Sequence, residues 1–236
     1  MTAVRACMVD ITWEGDMMGF SEQLRMASEP YWTEAINHRF VKELLAGTVS
    51  DSVMSRYLIQ DHRFIDNFLI LLGAALSSAD RFASRIVLGR FIGMISSDEN
   101  GYFQRAFSAL GVTEGERMGQ PDGVPTQGLK AIMREAAETG LYAVTLSVLA
   151  VAEGVYMDWG LGATQPYPEN FVHAEWITLH NNPYFCGFVA FLRNELDRLG
   201  PENAELCRTY FIRTVQLEKA FFDDAYKPNV SKGFSM

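Results

Sequence analysis

The sequence predicts an all-α fold: a single domain of bundled helices around one core. Three observations predict it. Apolar residues recur at steps of three and four over long segments. No stretch alternates valine and isoleucine with polar residues for long enough to make a sheet. Helix-starting and helix-stopping residues punctuate the chain from end to end. With 236 residues, 48% of them hydrophobic, the chain can bury a sizeable core. Roughly seven to nine helices are expected, with no repeat and no second domain.

Taken in order, residues 1–19 show no sustained period and read as an N-terminal arm, residues 20–226 as the helical domain and residues 227–236 as a C-terminal tail. Phe20–Ser28 reads as the first helix, stopped by Pro30. Tyr31–Ala46 follows, with a break near His38 and a stop at Gly47. Ser50 or Asp51 caps a long helix to Ala79. Asp80 is expected to cap Arg81–Ile95. Ser97, Asp98 and Glu99 are expected to open a separate helix, Asn100–Leu110, closed by Gly111. Residues 112–124 read as a loop, and Thr126 as the cap of Gln127–Thr139. Gly140 separates that helix from the next, which Gly160 and Gly162 end. A second loop spans 163–168. Helices at Glu169–His180, Pro183–Leu199 and Pro201–Tyr226 complete the chain, two of them with proline in the first turn.

Composition narrows the function. The net charge is −9 and the pI about 5.0, with no basic cluster, so nucleic acid and anionic membrane are not expected partners. Cys7, Cys186 and Cys207 are odd in number and form no CxxC, which argues against disulfides and zinc and fits a reducing cytoplasm. No signal-peptide pattern is present, and no uncharged run reaches the ~20 residues of a bilayer span. The cytoplasm is the expected location.

Three acids stand out. Tyr142, Leu146, Leu149, Glu153 and Tyr156 fall on one stripe of the Gly140–Gly160 segment. Asp61 interrupts the stripe Met54, Tyr57, Leu58, Phe64, Ile65, Phe68. Glu218 interrupts Cys207, Phe211, Val215, Phe222, Ala225. A carboxylate on an apolar stripe is costly to bury unless paired or neutralised. Glu153 alone is readable as a core acid held by a tyrosine or a backbone group. Three such acids on three helices suggest a shared acidic cavity, whose carboxyls would have raised pKa values and move protons near neutral pH. A metal site is not expected, because no histidine follows a glutamate at i+3 and His62 points about 100° away from Asp61. No phosphate loop, dinucleotide motif or GxSxG elbow occurs, and no cofactor is expected.

Five stretches carry a resemblance: PYWTEAINHRFVKELLAG at 30–47, YLIQDHRFIDNF at 57–68, the Glu153 helix, HAEWITLH at 173–180 and QLEKAFFDDAY at 216–226. In order and spacing they resemble the TenA/THI-4 family, thiaminase II and its relatives, from Phe20 to Tyr226. The resemblance implies a haem-oxygenase-like helical fold, a homodimer or homotetramer and a small pyrimidine as ligand. It implies that Asp61 contacts the pyrimidine, that Tyr156 is an active-site tyrosine, that Glu218 is catalytic and that Phe221 packs on the ring. Ala152 stands where thiaminase II has its cysteine nucleophile, and three pocket tyrosines of that enzyme fall on Phe64, Leu129 and His180. Ala-Glu-Gly-Val-Tyr at 152–156 resembles the TenA_E branch, associated with hydrolysis of aminopyrimidine breakdown products of thiamin toward 4-amino-5-hydroxymethyl-2-methylpyrimidine.

The resulting expectation is a thiamin-salvage hydrolase of amino- or formylamino-pyrimidines. Glu153 and Glu218 share acid–base work, Asp61, Phe64, Tyr156, His180 and Phe221 hold the substrate, and water attacks directly. Two other readings remain at this point. One is a non-catalytic pyrimidine-binding or regulatory protein; the other is a metal- or quinone-linked oxidase on the same fold.

Overall fold

The computed structural model describes residues 18–227, and most of the expected arm and nearly all of the tail lie outside them. The described residues contain twelve α-helices, more than the seven to nine expected, and no strand. They are α1 (Phe20–Ala27), α2 (Tyr31–Ile36), α3 (Arg39–Leu45), α4 (Asp51–Ser78), α5 (Phe82–Met94), α6 (Asn100–Ala109), α7 (Glu114–Gly119), α8 (Val124–Glu138), α9 (Tyr142–Leu161), α10 (Phe171–Leu179), α11 (Pro183–Leu199) and α12 (Ala204–Asp224).

The helix α9 is the axis of the fold. It has no polar face: from Tyr142 to Met157 every residue is buried. The expected stripe through Glu153 therefore has no solvent-facing opposite side, as befits a helix that is apolar all round. Helices α4, α8, α11 and α12 pack around it, with α2 alongside. By length and hydropathy α9 matches a membrane span, but most of it is enclosed by the bundle, so it packs as a core helix. Two glycines permit close approach. A Cβ on Gly154 would lie 3.0 Å from the Trp32 ring, and one on Gly160 would lie 2.8 Å from the carbonyl oxygen of His180. The second contact draws the end of α10 against α9.

Several boundaries differ from expectation, each for a local reason. The break near His38 is real: the His38 ring accepts from the Phe40 amide and starts α3. Ser50 caps α4 through the Val53 amide, as anticipated. Asp80 caps nothing, because both its oxygens accept from the Arg198 guanidinium at 2.8 Å. Thr126 is not a cap either. Helix α8 starts earlier, with Pro125 in its first turn, and the buried Thr126 hydroxyl donates to Gln60 at 2.7 Å. The expected loop at 112–124 contains α7, which is opened by a reciprocal capping box between Thr113 and Glu116. The last helix begins as a 3₁₀ turn at Gly200–Asn203.

The most consequential difference lies between α5 and α6. Ser97, Asp98 and Glu99 do not start a new helix. Ile95–Glu99 is a π-helical turn that joins α5 to α6 without a break. A π turn inserts an extra residue into a helix and re-aims the side chains around it.

Candidate functional site

Asp61, Glu153 and Glu218 face one cavity. The empty space among the lining side chains, counted out into open solvent, is ≈ 400 Å³. Helix α4 supplies Asp61, Phe64, Ile65 and Phe68; α9 supplies Ala152, Glu153 and Tyr156; α10 supplies Trp176 and, at its C-terminal end, His180; α12 supplies Glu218. The π turn adds a fourth acid, Glu99, which the sequence reading missed.

Three of the acids are buried: Asp61 is 3% exposed, Glu153 7% and Glu218 1%, whereas Glu99 is half-buried. Among the described residues, no lysine or arginine lines the cavity. Among the described residues, no side chain hydrogen-bonds or ion-pairs with Glu153 or Glu218, and Oε2 of Glu218 is buried without a partner. Burial pushes the Glu218 carboxyl up to about 8 and that of Glu99 likewise to about 8. Burial raises Glu153 well above the ordinary carboxyl range, and the nearby Glu99, Glu218 and Asp61 add to the shift. Asp61 is raised by burial and then by Glu99 and Glu218, while a hydrogen bond with Tyr156 partly offsets them. Near neutral pH the cluster holds protons that isolated carboxyls would have lost.

The aromatic wall orders these acids. The hydroxyls of Tyr57 and Tyr156 lie 2.9 Å apart. The His180 Nδ1 lies 2.8 Å from the Trp176 carbonyl, which only accepts, so Nδ1 carries the proton. Burial lowers the His180 pKa to about 4, leaving the ring neutral with Nε2 as an acceptor. Edge-to-face contact with Trp176 at 4.4 Å fixes the ring. Phe221 is not part of the lining. It lies behind Phe64, at 5.5 Å between ring centres, and against Tyr57. Leu129 is buried in the core outside the lining. Cys207 is also outside it, its thiol 3.5 Å from the Ala143 carbonyl, and Cys186 lines no part of the cavity. Among the described residues, no three histidine, cysteine or acidic side chains are grouped to hold a metal ion.

The arrangement provides proton donors and acceptors at neutral pH, a neutral imidazole acceptor and aromatic faces for a flat ring. Its signal in the sequence was the acid on an apolar stripe. Glu99 gave no such signal, because the run Ser-Ser-Asp-Glu at 96–99 reads as a capping sequence unless the helix is known to continue through it.

Comparison with known proteins gives concordant results. The family model described as TENA/THI-4/PQQC matches residues 25–227. The chain is 20% identical over 215 residues to an aminopyrimidine aminohydrolase of Halalkalibacterium halodurans, covering 89% of this chain and 96% of that one. It is 23% identical over 223 residues to an aminopyrimidine aminohydrolase of Bacillus subtilis, covering 89% and 91%. Among solved structures, a TenA homologue from P. horikoshii superposes with a TM-score of 0.80 at 20% identity, covering 89% of this chain and 99% of that one. A domain with a heme oxygenase-like fold from Shewanella denitrificans superposes at 0.64 with 16% identity, covering 87% and 91%.

Proposed function

The chain belongs to the TENA/THI-4/PQQC family, and from that premise we propose that it is a thiamin-salvage hydrolase that cleaves the exocyclic C–N bond of amino- or formylamino-pyrimidines. The observation that carries the proposal is the pair Glu153 and Glu218, both buried, both facing one cavity and neither tied to a partner. Buried polar groups are nearly always hydrogen-bonded. Two buried carboxyls left without protein partners, on the same cavity, are acids kept for a ligand. The reading of Glu153 as a core acid held by a neighbour has no neighbour to name.

The chemistry needs one base and one acid. The oxygen of water bonds to the methylene carbon outside the ring, and one of Glu153 and Glu218 takes the proton of that water. The C–N bond breaks with its electron pair on nitrogen, and the other carboxyl delivers a proton to that nitrogen. Two carboxyls with raised pKa values suit this division, because one stays protonated while the other is ionised. Asp61 and His180 Nε2 offer acceptors for ring-bound amino hydrogens, and Phe64, with Phe221 behind it, offers an apolar face. With Ala152 beside Glu153, no thiol of the described residues lies on the cavity wall, so water attacks without a covalent intermediate.

Purified protein incubated with the 5-aminomethyl and the 5-formylaminomethyl pyrimidines should release 4-amino-5-hydroxymethyl-2-methylpyrimidine, detected by chromatography. Binding without turnover of either compound would replace the enzyme reading with a binding one. The expected cytoplasmic location and homodimeric or homotetrameric state belong to the same proposal, and sedimentation checks the latter.

A further inference from the structure

Glu99 stands apart from the other three acids of the cavity. It is the last residue of the π turn, and its neighbours Ser96, Ser97 and Asp98 are exposed while its carboxyl lines the cavity. Its residue is the one of the four that is half-buried, the other three being buried. No side chain among the described residues hydrogen-bonds or ion-pairs with it. It is also the leading charged neighbour of both Asp61 and Glu153, ahead of Glu218 in each case. The cavity therefore offers an acid without a partner beside Asp61 and Glu153, and among the described residues no cationic side chain on its wall.

We propose that Glu99 is the residue that receives the ammonium group of a cationic aminomethyl substrate and so selects it over the neutral formylamino compound. The proposal rests on the hydrolase reading above and gives it a specificity residue. An alkyl amine is protonated near neutral pH. A cation entering this cluster lets Glu99 give up its proton and ionise against it, because an adjacent positive charge favours the carboxylate, whereas a neutral amide does not. A charge-assisted hydrogen bond between ammonium and carboxylate is short and about twice as strong as a neutral one. The cation also arrives with the proton that its nitrogen needs on departure. The C–N bond then breaks to release ammonia, the oxygen of water bonds to the methylene carbon, and the proton of that water goes to a carboxylate.

The test compares kcat/KM for the aminomethyl pyrimidine and its N-formyl derivative in the wild type, Glu99→Gln and Glu99→Asp. Glu99→Gln should lower kcat/KM for the amine about 100-fold or more, in line with the loss of one partner of a charge pair, and that for the N-formyl compound less than about 3-fold. Glu99→Asp should recover part of the preference for the amine. Equal losses on both compounds would make Glu99 a general structural or catalytic group and overturn the assignment while leaving the hydrolase reading intact. Failure of the wild type on both compounds would overturn the reading itself. A second arm needs only the wild type. Benzylamine and benzyl alcohol share a shape, and neither is hydrolysed because the ring lacks the electron-donating amino group. As competitive inhibitors, benzylamine should bind at least about tenfold more tightly than benzyl alcohol near neutral pH, since one charge-assisted contact corresponds to that factor or more. Equal inhibition would overturn the proposal even if Glu99→Gln failed to fold.

Discussion

At the scale of single residues, Glu153 is the most exacting test. It is buried beside Ala152 with three other acids as its electrostatic neighbours. Glutamine keeps its shape and hydrogen-bonding capacity but exchanges no proton at neutral pH. We expect Glu153→Gln to lower kcat by roughly 10²–10⁴-fold, the usual value of a general acid–base group, while equilibrium dialysis shows the pyrimidine still bound. Full turnover in this variant would remove Glu153 from the chemistry. The cysteines provide the complementary test. Cys207 is enclosed against Ala143 and Cys186 is away from the cavity, so Cys186→Ser and Cys207→Ser should each keep turnover within about threefold, the range of substitutions outside functional features. A loss of two or more orders of magnitude in a folded variant would point to a thiol nucleophile.

At the scale of elements, the π turn decides where Glu99 points. Helices α5 and α6 bury their own apolar residues on either side of it: Leu88 and Phe91 before, Phe103 and Phe107 after. The extra residue serves neither of those faces. Deleting Ser97, an exposed residue of the turn, should let α5 run into α6 as ordinary helix and rotate Glu99 off the cavity. Far-ultraviolet circular dichroism should be unchanged, and kcat/KM on the aminomethyl pyrimidine should fall at least as far as in Glu99→Gln. A fully active deletion variant would show that the turn does not position Glu99. This element also marks the limit of what was legible beforehand. The helices with a strong cap or a proline in the first turn, such as α4 and α11, could be read from sequence because those signals are local. Asp61, Glu153 and Glu218 could be read because an acid on an apolar stripe is a local oddity, and Tyr156 only through the family resemblance. Glu99 and Trp176 could not. One depends on how two helices join, the other on which neighbours surround an ordinary aromatic residue. Asp80 and Thr126 were read as caps because both types favour caps, but a distant arginine and a distant glutamine took their side chains instead.

At the scale of the whole molecule, the acidic cavity is tied to global stability through the protons it holds. Glu218 titrates near 8 in the fold and near 4.5 when the chain is unfolded. Its folded pKa is raised, so its stabilising contribution is complete below about 4.5 and is lost as pH rises toward 8. Asp61, Glu99 and Glu153 are shifted in the same direction. Histidines oppose this over part of the range. His62, His173 and His180 are lowered by burial from 6.5, so their contribution to stability grows with pH until about 6.5 and then stops. Surface acids lowered by ion pairs, such as Asp80 with Arg198, reach full effect at lower pH, above their unfolded value of 3.8. Between about pH 6.5 and 8 the buried carboxyls are left without opposition, and the melting temperature of the wild type should fall across that window. In Glu218→Gln the group is neutral in both states, so the fall should be shallower. The amide adds a pH-independent amount of either sign through its own hydrogen bonds, so the informative quantity is the variant-minus-wild-type difference at two pH values. It should be more positive at pH 8 than at pH 6.5. Each pH step is worth about 1.4 kcal/mol for one such proton, and about 2–4 °C accompanies each kcal/mol in a domain of this size, so the two differences should be separated by roughly 3–8 °C. Differential scanning fluorimetry reads this directly. The same variant should be inactive, because an amide at this position neither gives nor takes the proton that the reaction moves. Parallel melting profiles in wild type and variant across the window would mean that Glu218 is ionised there or reaches solvent, and it would then be no acid for a departing amine.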